Sequence, residues 1–513
     1  MSDLEEGENL QHGQKVVKTK VDTQEVLSRG ALPRIKLQKF IDTFIRVSGI
    51  ETRGIEPVPA DQRQPATPDS YARIFQLWLS SSLTANNMIV GMYGPSFYNL
   101  DWTQAVVCGV FGAILGSMAT GYTSTWGPKS GNRTLVVTRY FLGYYLSKVF
   151  YVLNTLTMLG YAMVNGILGG QIIFTVSGGH TGVSVGIIVV SVLTWFIATV
   201  GMHVFHVYTR YAWILQLSIL SIMIGCAGPS FDTSSTPSPD ISTQPATASQ
   251  RLSFFSLCVA SAVTWAPSSA DYFVYLSPAL NPRRVFLSGC AGMSLAMILT
   301  TLLGIGLATG VSSNGSWMDA SLTSQGSLLT VAFSTLNGFG RLCAVMLLLS
   351  AVSNNIPCTY SAGLNLQMIL GRYGPRVPRP LLTTVEVIVC TVCAVVARDY
   401  LREIMEAFLP LMSYWIAVWL AVCLEEACIF RRKGEYDWSI WNTAHKLPMG
   451  LAAGMSLVVG CLGAVLGMSQ SYFVGPIPKT LATPADLGMW LAFGFAAVVY
   501  PPLRIVELRV VGR

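Results

Sequence analysis

The sequence predicts an all-α protein that crosses a membrane twelve times. Three observations carry that expectation. The 513-residue chain is 52% hydrophobic and 12% charged, where a soluble domain is about 25% charged, and its mean hydropathy is +0.51. Its apolar residues gather into windows of the length a bilayer demands, about 20 residues each. The basic residues of the connecting loops segregate to one face.

Residues 1–71 are polar and contain "RGIEPVPADQRQPATP". Too few apolar groups stand there to offset the entropy of ordering the chain, so the stretch reads as a largely disordered cytosolic arm without a signal peptide. Apolar windows follow at 74–98, 103–123, 146–173, 182–201, 209–228, 252–275, 286–310, 338–366, 380–397, 401–428, 448–469 and 484–503. This gives a core of ten helices over 72–428, a loop at 429–447, two further helices over 448–503 and a short tail at 504–513. An even count puts both termini on one side.

The loops set which side. Lys129, Arg133, Arg139, Arg210, Arg283, Arg284, Arg372, Arg376, Arg379, Arg431, Arg432, Lys433 and Lys446 fall on one face. The other carries only Arg251, Arg341, Arg398, Arg402 and Lys479. Cationic loops stay in the cytoplasm, so the first face and both termini are assigned there. The glycosylation sequon at Asn314 then lies outside, the one at Asn132 inside, and the Ser/Thr/Pro-rich loop 229–250 is external and mobile. A basic balance of this origin does not point to nucleic acid.

Four stretches break the apolar rule. The first window carries "SSSLTANNMIVGMYGP", placing Asn86 and Asn87 just before Gly91, Gly94 and Pro95. The third carries "TMLGYAMVNGILGGQ", with Tyr161 and Asn165 four apart on one helical face. The sixth carries "TWAPSSADYFVY", in which Trp265, Pro267 and Asp271 crowd together. The eighth carries "SNNIPCTYSAG", with Asn354 and Asn355 before Pro357. An unsatisfied amide in hydrocarbon costs several kcal/mol, so the amides favour one shared polar cavity. Gly/Pro-interrupted helices five spans apart, the first and the sixth, are the pointer to an inverted-repeat transporter with its site at mid-membrane. Asp271, Glu386 and the pair Glu425/Glu426 are the ionisable groups in or near spans; of these Asp271 and Glu386 are the tentative ion-coupling groups, while Glu425/Glu426 read more readily as a structural pair.

Enzymatic readings find little support. There are five histidines (His12, His180, His203, His206 and His445), and no HExxH, nucleophile elbow or P-loop lysine occurs. Cys390 and Cys393 form CTVC, but mid-helix in an apolar segment they read as packing residues, and no metal or cofactor site is expected.

The stretches "SADYFVYLSP", "NPRRVF", "GPKSGNRTLVVTRYFLGYY", "VNGILGGQ", "HVYTRYAWI" and "SNNIPCTYSAGLNLQ", spread over residues 70–430, resemble the fungal purine-cytosine permeases of nucleobase:cation symporter family one. The resemblance implies a five-plus-five inverted repeat of the leucine-transporter type with two extra C-terminal helices. It also implies proton-coupled uptake of a nucleobase across the plasma membrane, protons being preferred to Na⁺. Carried over by position, Trp265 would stack on the heterocycle, and Asn165, Asn354 and Asn355 would read its edges. Two positions depart: Tyr161 stands where the family usually has Trp, and Cys358 where it usually has Asn. Tyrosine stacks over less area, and a lost amide weakens the reading of a base edge. Cytosine, a purine, or another small nitrogen heterocycle such as a B6-type vitamin therefore all stay open as cargo. A receptor that binds without transporting is the remaining alternative.

Overall fold

The computed structural model describes residues 53–200, 202–234, 246–431 and 436–512. Among these, nine helices are long and apolar enough to cross a membrane. They fall in the second, third, fifth to tenth and twelfth windows. The first window is filled by two half-helices, α1 (Pro68–Ser82) and α2 (Ala85–Tyr98). Then come α3 (Trp102–Ser124), α4 (Ser147–Val176), α5 (Val183–Val200) and α6 (Met202–Ala227). The second half runs through α7 (Ala248–Val263), continued by a 3₁₀ segment Ala266–Tyr272, to α8 (Pro282–Gly310), α9 (Asn337–Ile369), α10 (Arg379–Val396) and α11 (Leu401–Glu425). Two more, α12 (Leu451–Gly467) and α13 (Gly488–Val511), pack on each other and on α11. Large apolar side chains such as Phe111, Phe196, Val392 and Val498 stay exposed on the outer helix faces, as lipid contact requires.

The packing shows the inverted repeat. The first span (α1, α2) packs on α8, and the equivalent helix of the second half, α7, packs on α3. Helices α4 and α9, which are equivalent to each other, pack together, and so do α5 and α10.

Both expected interruptions are present, but the first is displaced. Gly91, Gly94 and Pro95 lie inside α2, and the helix instead opens at Leu83 and Thr84, the latter extended at φ −125°, ψ 151°. The reason is partners. Ser353 Oγ donates to Ser80 O (3.1 Å), Asn354 Nδ2 to Ser81 O (2.7 Å) and Asn87 Nδ2 to Ser82 O (2.8 Å), while Ala85 N donates to Ser350 Oγ (3.2 Å). The backbone opens where neighbouring side chains can receive its freed groups. The glycines serve packing: a Cβ at Gly91 would strike the Thr301 carbonyl, and one at Gly304 the Met88 carbonyl. Helices α2 and α8 thus cross backbone to backbone over small residues. In the sixth span Pro267 takes an early position of the 3₁₀ segment, where a missing N–H costs least.

Several boundaries shift. Within the expected N-terminal arm, residues 53–67 are docked on the basic-loop face: Val58 N bonds Gly131 O (2.9 Å), Arg63 bonds Pro128 O and Ser130 O, and Gln64 N bonds Tyr275 O. Arm residues 1–52, His12 among them, and residues 235–245 of the loop expected at 229–250 lie outside the described residues. Helix α13 continues through the expected tail to Val511, because Arg504 is buried against Glu426 (2.8 Å).

The crossing of α2 and α8 makes a stability prediction. Gly304→Ala should cost about 1–3 kcal/mol by overpacking, seen as a lower melting temperature of the solubilised protein. Gly494→Ala, whose Cβ meets nothing within 4 Å, should leave it unchanged or slightly higher.

Candidate functional site

Helices α4, α7 and α9 converge beside the two breaks, and the sequence-predicted residues they carry form two layers. The first is aromatic. Trp265, at the end of α7, meets Tyr161 of α4 with ring centroids 5.4 Å apart and planes tilted by 34°. Trp78 of α1 abuts Trp265 edge-on at 6.0 Å, and Phe408 of α11 abuts Tyr161 at 5.5 Å. The Tyr161 hydroxyl is hydrogen-bonded to that of Thr264, so the ring is pinned to the end of α7. Both Tyr161 and Trp265 are 2% exposed.

The second layer is a knot of amides. Asn165 Nδ2 donates to Asn354 Oδ1 (2.8 Å) and to Asn355 Oδ1 (2.9 Å). Asn354 passes its own donor to Ser81 O, and Asn355 to Ala162 O (3.3 Å). One acceptor of the knot, Asn165 Oδ1, makes no hydrogen bond. Asn86 Oδ1 and the hydroxyls of Ser82 and Thr84 at the first break are likewise unbonded. A buried polar atom without a partner is costly. These are therefore the atoms from which a polar guest would gain most.

The remaining predicted residues are distributed around this centre. Asn87 serves its own break through Ser82 O. Cys358 is fully buried on α9, one turn beyond Asn354. Asp271 is not free. Its Oδ1 accepts from Thr134 N (2.7 Å) and Thr134 Oγ1 (3.1 Å), its Oδ2 from Ser361 Oγ (2.9 Å), and its carbonyl from Arg133. It ties the sixth span to α9 and to the loop after α3. Glu386 lies on α10, outside both layers. Glu426 is saturated by Arg504, Tyr500 and Arg431. Asn314 caps a short helix, its Oδ1 accepting from Ser316.

Sequence reasoning missed Trp78, Phe408 and Asn154. The last donates to Ser268 Oγ at 3.0 Å below the aromatic layer. A signal for it existed, since Asn154, Tyr161 and Asn165 share one helical face at spacings of seven and four. Trp78 and Phe408 come from helices whose sequence carries no mark of proximity.

The site is shut. A planar guest between two rings needs about 7 Å, two van der Waals contacts of roughly 3.5 Å, and the rings stand closer than that. The open space lies elsewhere: a cavity of about 510 Å³ bounded by Tyr93, Gln171, Gln325, Asp399 and Arg402. None of the predicted site residues lines it.

A family model described as permease for cytosine/purines, uracil, thiamine, allantoin matches residues 57–475. The purine-cytosine permease fcyB of Emericella nidulans is 31% identical over 98% of this chain and 99% of its own. The vitamin B6 transporter TPN1 of Saccharomyces cerevisiae is 28% identical over 93% and 90%. Among solved structures, Mhp1, a nucleobase-cation-symport-1 family transporter in a closed conformation with bromovinylhydantoin bound, superposes with a TM-score of 0.66 at 14% identity, covering 90% of this chain and 96% of that one. At that identity it speaks for the fold, which is the leucine-transporter type expected.

The knot is testable as a unit. Asn165→Ala strands the Asn354 and Asn355 oxygens and should cost about 1–3 kcal/mol. A thermal-shift double-mutant cycle with Asn354→Ala should be non-additive by at least about 0.5 kcal/mol. Additive losses would show that the amides act separately.

Proposed function

The chain belongs to the permease family for cytosine/purines, uracil, thiamine and allantoin, and on that premise we propose that it imports cytosine or a purine across the plasma membrane in symport with protons. It is a multi-pass secondary transporter and not an enzyme. The observation that carries the substrate class is the pairing of a stacking layer with a hydrogen-bonding layer. Trp265 and Tyr161 offer faces to a flat ring, and the amide knot beside them offers donors and an unspent acceptor, Asn165 Oδ1, to its edge. Both termini are read as cytoplasmic from the basic loops, which leaves Asn314 outside and open to glycosylation.

Cys358 favours a second cargo. It removes the amide that the family pattern places there, and the B6 transporter among the relatives shows that the family's frame is also used for a substituted pyridine. A small nitrogen heterocycle whose edge differs from that of a nucleobase, such as a B6-type vitamin, is the alternative on the same site.

Uptake of labelled cytosine, adenine, hypoxanthine and pyridoxine in a permease-null cell tests both. Saturable uptake of a base supports the first reading, pyridoxine alone supports the second, and no uptake of any sinks both. Trp265→Ala should abolish uptake of every flat substrate while the protein remains in the membrane. Tyr161→Trp with Cys358→Asn should shift preference toward cytosine and purines. Each regained contact is worth roughly 1–3 kcal/mol, about ten- to a hundred-fold in apparent affinity. Uptake should collapse with a protonophore and ignore replacement of Na⁺; the reverse pattern would refute proton coupling.

A further inference from the structure

Five carboxylates are buried among the described residues: Asp271, Glu386, Glu426, Asp486 and Glu507. Four are saturated. Asp271 has Thr134 and Ser361, and Glu426 has Arg504, Tyr500 and Arg431. Asp486 accepts from Tyr414, Gln470 and Gly488 N, and Glu507 accepts from the backbone of Gly450 and Ala452. Glu386 differs: it is 2% exposed, it makes no ion pair, and neither oxygen has a hydrogen-bond partner of good geometry, the Thr359 hydroxyl of α9 being the donor beside it.

Its surroundings offer no compensating charge. Helix α10 packs against α4, α5 and α9. From α9 the groups facing Glu386 are Thr359 and the Cys358 thiol, and along its own helix the Cys390 thiol. Helix α5 contains no ionisable residue. On α4, Tyr161 is bonded to Thr264, Tyr151 to Arg139, and Lys148 lies over Tyr144 and Tyr145. Arg379, two turns away on α10, stacks on Tyr360 at 4.5 Å and donates to Ala198 O and Thr199 O. A carboxylate at this depth with one hydroxyl beside it and no cation is costly to keep charged.

We propose that Glu386 is the proton-binding group of the transport cycle, taking its proton from the outer solution and releasing it to the cytoplasm. The inference rests on the proton-coupled reading above and adds to it the atom that carries the proton. Two features make the position fit. Arg379, Thr383, Glu386, Cys390 and Ala394 are the buried face of α10, so the carboxyl heads a polar stripe that runs down to the basic-loop end of the helix. Thr383 Oγ1, one turn along, is also without a hydrogen bond. On its other side Glu386 meets α9 at Cys358 and Thr359, the turn after Asn354 and Asn355. One helix therefore touches the amide knot on one side and the acid on the other. A shift of α9 that answers cargo in the knot must alter the packing over Glu386.

The test uses the full-length protein in proteoliposomes, with whichever of cytosine, adenine, hypoxanthine and pyridoxine the wild type takes up. For one proton per substrate, an outside-acid gradient of one pH unit supports an accumulation of about tenfold. Glu386→Gln mimics the protonated acid without a change of shape. It should keep exchange of labelled for unlabelled substrate across the membrane, lose accumulation to a ratio of about one, and lose the pH dependence of uptake. Asp486→Asn, at a buried carboxylate bonded to Tyr414 and Gln470 away from this centre, should still accumulate substrate in response to pH. Glu386→Gln that accumulates as the wild type does would overturn the inference while leaving proton coupling intact. A wild type that ignores the pH gradient and follows Na⁺ would overturn the coupling reading and this inference with it. If Glu386→Gln does not exchange, infrared difference spectra decide on the wild type and Glu386→Asp, which keeps the acid. The C=O stretch of a buried protonated carboxyl should be present in the first and displaced in the second, and an identical band in both would refute the assignment.

Discussion

A helix opened inside a membrane frees backbone donors and acceptors that lipid cannot satisfy, and the structure depends on where those groups find partners. For the first break, α9 supplies them. Ser353 and Asn354 receive the carbonyls of Ser80 and Ser81, and Ser350 accepts from Ala85 N. Each such bond is worth only about 1 kcal/mol net, but leaving the group bare would cost more. The break therefore sits at Leu83 and Thr84 because α9 is there, and α9 is held in place by the break.

The second break extends the same logic toward the basic-loop face. Thr120 Oγ1 donates to Ala262 O (2.8 Å) and Ala270 N donates to Thr134 Oγ1 (2.9 Å). Asp271 then binds Thr134 and Ser361 at once. Since Ser361 is on α9, the helix that satisfies the first break also clamps the second. Residues 53–64 add a strap over this region through Gly131, Pro128 and Tyr275. With the rings of Tyr161 and Trp265 in contact above it, the centre is closed on the basic-loop side, while a cavity stands apart from it among Tyr93, Gln325 and Arg402.

The helices are legible in the sequence, and so are the residues that meet beside the breaks, because both are written in local pattern: apolar windows for the spans, and amides and aromatics where lipid should exclude them. It misplaced the first interruption because Gly91 and Pro95 are strong local punctuation, whereas the true opening is dictated by Ser350, Ser353 and Asn354, more than 260 residues away. Asp271 and Glu386 looked alike as carboxylates in apolar runs. What separates them is three well-formed hydrogen bonds to one and none of good geometry to the other, and the donors to Asp271 come from elements distant in the chain. The sequence sets 504–513 apart as a tail for the same reason, Arg504 having its partner only in three dimensions.

The closed centre also bears on how selectivity can arise. Asn165, Asn354 and Asn355 hydrogen-bond one another, so these amides do not carry the full penalty of burial without partners. On the proposed reading of this centre, a guest would replace those bonds with equivalents and part Tyr161 from Trp265 to stack between them. A ligand moves a conformational equilibrium only by its differential affinity for the two states. A ring that stacks but cannot re-bond the amides leaves buried polar atoms stranded and gains little from opening the site. A ring that does both recovers the amide bonds and adds one to Asn165 Oδ1. Discrimination therefore lies in the difference between those two outcomes, which is where a hydrogen-bonding site excludes an analogue lacking the matching groups most strongly.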